Sequence, residues 1–124
     1  MGQDSTGRFF QDPVPFPNGN VASAARTSTV TLAAFNVEGA REIIGKLDIT
    51  AASGTTPTLD VSLETTTDGT NWYTVGAIAQ KTGVSNEERA FSSNLGIQCR
   101  WKFTIGGTTP SFTASITARA RYAA

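Results

Sequence analysis

The sequence contains no histidine and only one cysteine. Without histidine there is no serine–histidine or cysteine–histidine catalytic pair and no imidazole ligand for a metal. A single cysteine excludes an intramolecular disulfide and a thiolate zinc site. We therefore expect neither a cofactor nor a bound metal, and we do not expect the chain to be an enzyme.

Charge is also scarce. Lys+Arg and Asp+Glu each number 10 in 124 residues, so the formal net charge is zero. Nucleic-acid-binding proteins usually carry a basic excess, which this chain lacks. No apolar run approaches the roughly 20 residues that a membrane-spanning helix requires. The composition therefore favours partners other than nucleic acid or a membrane.

Alternation of apolar and polar residues is the dominant pattern. Leu59, Val61 and Leu63 fall on one face of a predicted strand, for example, and the polar residues between them on the other. Such alternation is typical of strands with one buried and one exposed face. The predicted strands are residues 29–35, 41–50, 58–66, 71–80, 97–105 and 111–122. Roughly six to eight strands separated by turns predict an all-β fold, an antiparallel β-sandwich or small barrel over residues 29–124.

Glycine and proline mark the predicted turns. The motif Gly-Thr-Thr-Pro occurs at residues 54–57 and again at 107–110. Glycine can adopt unusual backbone angles and proline fixes the start of a strand, so each copy is predicted to be a hairpin turn. Asp68-Gly69 is predicted to be a third turn, and residues 86–89 a loop.

The N-terminal segment, residues 1–28, differs from the rest. Prolines in alternation exclude a helix and favour an extended, polyproline-like backbone, so this segment is predicted to form an extended proline-rich arm outside the sheet. Three phenylalanines are rare on a free solvated tail, so the arm is expected to dock, either on its own domain or on another subunit. Its candidate binding residues are Phe9, Phe10, Pro13, Val14, Pro15, Phe16 and Pro17.

Few other side chains suggest a site. Trp72 and Tyr73 are candidate exposed aromatic contacts for a sugar or a neighbouring subunit, with core packing as the alternative. Asp60 and Glu64 share the exposed face of one strand, where cross-strand pairing with cations is the expected role. Cys99 lies between apolar residues on a predicted buried face and is expected to be inert.

Three segments together resemble small virion proteins of tailed bacteriophages. Those proteins share a Leu-Asp-Val strand, an Asp-Gly turn before tryptophan and a closing Gly-Gly-Thr-x-Pro-Ser-Phe hairpin. The matching segments here are residues 57–65, 68–72 and 99–112. The resemblance covers about residues 43 to 120 and does not include the arm.

The resemblance implies a capsid decoration (cement) protein, located on the capsid surface of the virion in many copies. Its implied partners are the major capsid protein and copies of itself, with a homotrimer as one arrangement, and the arm is expected to anchor it. The Asp-Gly-x-x-Trp element also occurs in discoidin-like carbohydrate-binding sandwiches. The alternatives are therefore a glycan-binding module or adhesin-like domain of a tail or head fibre, and a head–tail or tail structural protein.

Overall fold

The computed structural model describes residues 14–122, which form eight strands and one short 3-10 turn, Pro17–Gly19. The strands are β1 (Val14–Pro15), β2 (Val21–Arg26), β3 (Val30–Thr31), β4 (Phe35–Asn36), β5 (Ala40–Thr66), β6 (Tyr73–Ala77), β7 (Ser85–Phe91) and β8 (Gln98–Tyr122). All pairings are antiparallel within one hydrogen-bonded sheet. The prediction of an all-β antiparallel fold is confirmed, and the finer choice of a sandwich or a barrel stays a prediction.

The sheet is organised around a long ribbon of two strands. β5 and β8 pair along their whole lengths, from Ala40 opposite Tyr122 to Thr66 opposite Gln98. The four short strands β1 to β4 all pair with the outer side of β8, while β6 and β7 pair with the outer side of β5. The ribbon is therefore the centre of the sheet and the short strands form its edges.

The two Gly-Thr-Thr-Pro motifs are kinks in this ribbon, so the prediction that they are hairpin turns is wrong. They lie opposite each other, where the pairing of β5 with β8 is irregular. Gly54 and Gly107 have a positive φ of 111°, and Thr56 and Thr109 are also left-handed, at 46° and 44°. A Cβ atom on either glycine would lie 2.7 Å from a carbonyl oxygen of the opposite motif. Only glycine permits so close an approach of the two backbones.

The kinks fold the ribbon back on itself. Trp101 lies against Gly45, where an added Cβ would be 2.6 Å from the ring. Gly45 pairs with Ala118. In β8, the kink at residues 107–110 lies between Trp101 and Ala118. A straight strand from Trp101 to Ala118 would span roughly 56 Å. The contact is possible only because β8 turns back at its kink, which brings the apolar faces of the two halves together.

The core lies between these two faces. The alternation in the sequence correctly predicts most of it, since the residues on the predicted apolar faces of β5 and β8 are nearly all buried. These are Ile43, Leu47, Ile49, Leu59, Val61, Leu63, Cys99, Trp101, Phe103, Phe112, Ala114, Ile116, Ala118 and Ala120. Alternation through residues 97–105 predicts Ile97 on the same buried face, but Ile97 precedes β8 and is 37 % exposed, so that prediction is wrong. Ile105 and Tyr122, also on the predicted apolar faces, are only partly buried.

The predicted arm is partly a component of the sheet. β1 and β2 pair with the last part of β8. The folded domain therefore includes residues 14–26 and begins earlier than the predicted boundary at residue 28. The sequence of β2, Val-Ala-Ser-Ala-Ala-Arg, lacks apolar alternation, and its place is given by backbone hydrogen bonds to β8. The remaining part of the predicted arm, residues 1–13 with Phe9, Phe10 and Pro13, lies outside the described residues.

Four edge strands, β3, β4, β6 and β7, also differ from their predictions. The segment 86–89, predicted as a loop, belongs to β7, which pairs with residues 43–49 of β5. Its charged residues fit an edge strand, where charge discourages pairing with other chains. The strand predicted over 29–35 is divided between β3 and β4. The strand predicted over 71–80 is shorter than expected and consists of β6 alone. Pairing with the long ribbon, and not local propensity, sets these limits.

Candidate functional site

Hydrogen bonds to the backbone of β8 attach the N-terminal segment firmly to the sheet. The Phe16 N–H donates to the Ala118 carbonyl oxygen at 3.0 Å, and the Ala118 N–H donates to Asn20 Oδ1 at 2.7 Å. Val14 lies in β1 opposite Ala120. The segment is therefore held in place from Val14 onwards.

An aromatic cluster completes this attachment. Phe16 is buried and meets Phe35 edge to face, with ring centroids 5.5 Å apart, and Phe35 in turn lies 6.4 Å from Trp101. The Trp101 indole N–H donates to the Gly19 carbonyl oxygen at 2.8 Å. Phe16 thus belongs to the core of its own chain and is not a free anchor for another subunit. Of the other candidate arm residues, Pro15 and Pro17 are exposed.

Arg26 is a structural residue that the sequence does not single out. Its guanidinium donates to the carbonyl oxygens of Ala24 and Ala114 at 3.1 and 3.0 Å, and it lies 5.1 Å from the centroid of the Phe103 ring. Partial burial lowers the pKa of Arg26. Since Phe103 and Ala114 lie on opposite sides of the kink in β8, Arg26 joins the two halves of the fold. Only the folded contacts reveal this role.

The two aromatic candidates after the Asp68 turn have different surroundings. The Arg100 guanidinium lies 4.1 Å from the centroid of the Trp72 ring, and its Nε is 2.7 Å from a carboxylate oxygen of Glu64. Trp72 is therefore half-buried beneath an ion pair that occupies its face. Tyr73 is 63 % exposed, so it is the aromatic residue that a ligand could contact.

A groove of about 340 Å³ opens beside Tyr73. We call it the Tyr73 groove; its polar and aromatic walls are Thr65, Thr67, Tyr73, Thr74, Ser93 and Asn94. Val75, which also lines it, is the extra residue of a bulge in β6, where the register with β5 shifts. Bulges redirect side chains and are common beside functional sites. No single segment of the sequence indicates the groove, because its walls come from three separate parts of the chain.

The Asp68 turn is complete within itself. Asp68 Oδ1 accepts hydrogen bonds from the backbone N–H groups of Thr70 and Asn71, each at 2.8 Å, and Thr66 Oγ1 accepts from the Gly69 N–H. The backbone donors on Asn71 and Thr70 hold the pKa of the Asp68 carboxyl well below its usual range. The predicted turn is confirmed, since Gly69 has a positive φ of 81°.

The other polar candidates have structural partners. Glu64 pairs with Arg100 across the strands as predicted, whereas Asp60 accepts a hydrogen bond from Gln80 Nε2 at 2.9 Å instead of meeting a cation. Cys99 is fully buried, and burial raises the pKa of its thiol. Within residues 14–122, no group of three His, Cys, Asp or Glu side chains is placed to hold a metal ion. The helical residues of that range include no segment long and apolar enough to cross a membrane.

Neither a protein-family model nor a curated protein matches the chain. The resemblance to small phage virion proteins, which rests on three sequence segments, therefore stays a prediction.

Proposed function

We propose that the chain is a structural protein of a tailed-bacteriophage particle, a decoration protein that binds the outer capsid surface in many copies. In this proposal residues 1–13 contact the major capsid protein, neighbouring copies contact one another, and no catalytic step is involved. The sequence resemblance supplies the class of protein. What the structure adds in support is the firm attachment of the chain to β8 from Val14 onwards.

The observation that carries the proposal is the attachment of the chain at β1. Because Phe16 is buried and its N–H is bonded to Ala118, any contact made by residues before Val14 is transmitted directly to the sheet. Phe9 and Phe10 lie only a few residues before this point. Binding by a short tethered segment gains from neighbouring contacts on a repeating lattice, since each copy then binds at high effective concentration.

The test is co-sedimentation of the full chain with capsids that lack it, together with the capsid melting temperature. We expect the wild type to bind and to raise that temperature. Changing Phe9→Ala and Phe10→Ala together should leave the sheet folded but weaken binding. Burial of one phenylalanine contributes about 1.5 kcal/mol or more, so the pair should change the dissociation constant about 100-fold.

Val84→Ala is the matched control, because Val84 is 66 % exposed and lies far along the chain from the arm. It should bind like the wild type. Wild-type occupancy by the double variant would show that residues 1–13 do not carry the contact. Failure of the wild type to bind would refute the proposal that the protein decorates the capsid. A truncation at residue 28 is unsuitable, because it would delete β1, β2 and Phe16 from the fold.

A further inference from the structure

The Tyr73 groove has the size and the firm walls of a small-ligand site. Its volume, about 340 Å³, lies at the lower end of the range of ligand pockets. The buried Thr65 fixes its floor: Thr65 Oγ1 donates to the Gln98 carbonyl oxygen and accepts from the Gly96 N–H, both at 2.9 Å. The Ile97 N–H also donates to the Thr66 carbonyl oxygen at 2.8 Å. The loop before β8 is thereby fastened to the end of β5, and the groove is formed before any ligand arrives.

The rim of the groove offers hydrogen-bonding groups that the fold does not use. The side chains of Thr67, Thr74, Ser93 and Asn94 are exposed and have no hydrogen-bond partner within residues 14–122. Three hydroxyl groups and one amide can both donate and accept. Asn94 has a left-handed backbone with φ of 57°, which asparagine adopts more readily than other non-glycine residues.

The charge of the groove restricts the class of ligand. None of the lining residues is ionisable at neutral pH. Arg100, which pairs with Glu64 across β5 and β8, is held between the Glu64 carboxylate and the face of Trp72. Phosphates, nucleotides and acidic sugars need a positive partner, so the groove suits a neutral ligand.

We propose that the Tyr73 groove binds a neutral saccharide of one or two sugar units. A sugar ring has an apolar face, which can lie on the exposed Tyr73 ring, and hydroxyl groups around its edge, which match the free hydroxyl and amide groups of the rim. The exposed Tyr73 ring suits the apolar face of the sugar, and the neutral donors and acceptors of the rim suit its hydroxyl groups. Tyrosine is common at such partly hydrated contacts because it has both an apolar ring and a polar hydroxyl group. This site is independent of residues 1–13 and goes beyond the proposed capsid contact.

The test is an NMR titration of the full-length ¹⁵N-labelled protein with maltotriose, cellotriose and chitotriose, and with a sulfated heparin disaccharide as the charged comparison. We expect at least one neutral sugar to shift the amide signals of Thr67, Tyr73, Ser93 and Asn94, with no such shifts from the heparin disaccharide. Shifts from no neutral sugar, or shifts centred elsewhere on the sheet, would overturn the proposal. A stronger response to the heparin disaccharide would overturn the neutral assignment.

Variants separate the aromatic from the polar contribution. Tyr73→Ala should weaken binding at least about tenfold, whereas Tyr73→Phe, which keeps the ring, should bind nearly as the wild type does. Asn94→Gly permits the left-handed backbone while it removes the side-chain amide, so it tests the rim separately from the Tyr73 ring. Wild-type binding by both Tyr73→Ala and Asn94→Gly would refute the site. Tyr73→Ala should still bind capsids, so the two proposals can fail separately.

Discussion

Replacing Phe16 by alanine tests whether the predicted arm is part of the folded domain. Phe16 is 8 % exposed and lies edge to face with Phe35 at the border of the core. Truncation of a core phenylalanine to alanine costs about 3–5 kcal/mol, and a border position should lie near the lower value, about 3 kcal/mol. Domains of this size have a total stability of only about 5–15 kcal/mol. The substitution should therefore remove a large part of the stability while the protein still folds.

Urea unfolding followed by tryptophan fluorescence, to which the buried Trp101 and the half-buried Trp72 both contribute, measures this change. With a slope of about 2 kcal/mol per molar urea, the midpoint should fall by about 1.5 M. Tyr73→Ala is the matched control, because it removes an aromatic ring that is 63 % exposed and should lower stability by less than about 1 kcal/mol. An unchanged midpoint for Phe16→Ala would place Phe16 outside the core and return residues 14–28 to the arm.

Two further predictions concern the packing of the halves and the Asp68 turn. Gly45→Ala should lower stability by about 2 kcal/mol in the same urea assay, because the new methyl group overpacks against the buried Trp101 ring; no change would mean that the two faces are looser than described. Asp68→Ala should lower the melting temperature at neutral pH. Since folding depresses the Asp68 pKa, its stabilisation is present above the ordinary value of 3.8 and is lost as the pH falls below it, so wild type and variant should converge in acid. A constant difference would show that the carboxylate charge is not what the turn requires.

The apolar faces of the long strands are predictable from the sequence because their alternation is local. Leu59, Val61 and Leu63 have polar neighbours at every second position, and all three are buried. The same reasoning correctly places Cys99 on a buried face. Period-two alternation reports burial reliably where a strand is long and one of its faces meets solvent.

The kinks are not predictable in this way because their partners lie far away in the sequence. A glycine and a proline between two strands are typical of a hairpin, in which the flanking strands pair with each other. Here the segments on either side of residues 54–57 both pair with β8 instead. Only the folded pairing shows that each motif bends a continuous strand opposite its own copy.

The candidate site is predictable in part. The exposure of Tyr73 after a turn agrees with the sequence prediction, while its role as a contact stays a prediction. It does not show that Arg100 covers Trp72, because that contact depends on the register of β5 with β8. The groove walls at Ser93 and Asn94 carry no sequence signal, since short polar residues of that kind occur in most loops.

The long-range pairing of the ribbon has a consequence for folding during synthesis. Even the nearest partners, Thr66 and Gln98, are separated in the sequence by all of β6 and β7, and the farthest are Ala40 and Tyr122. β5 is therefore synthesised in full before any of β8 exists to pair with it. Chains dominated by such distant contacts fold slowly, and an unpaired strand edge invites association with other chains. Because β8, made after all the other strands, completes the centre of the sheet, a chain shortened at its C-terminus should aggregate instead of forming a smaller version of the fold.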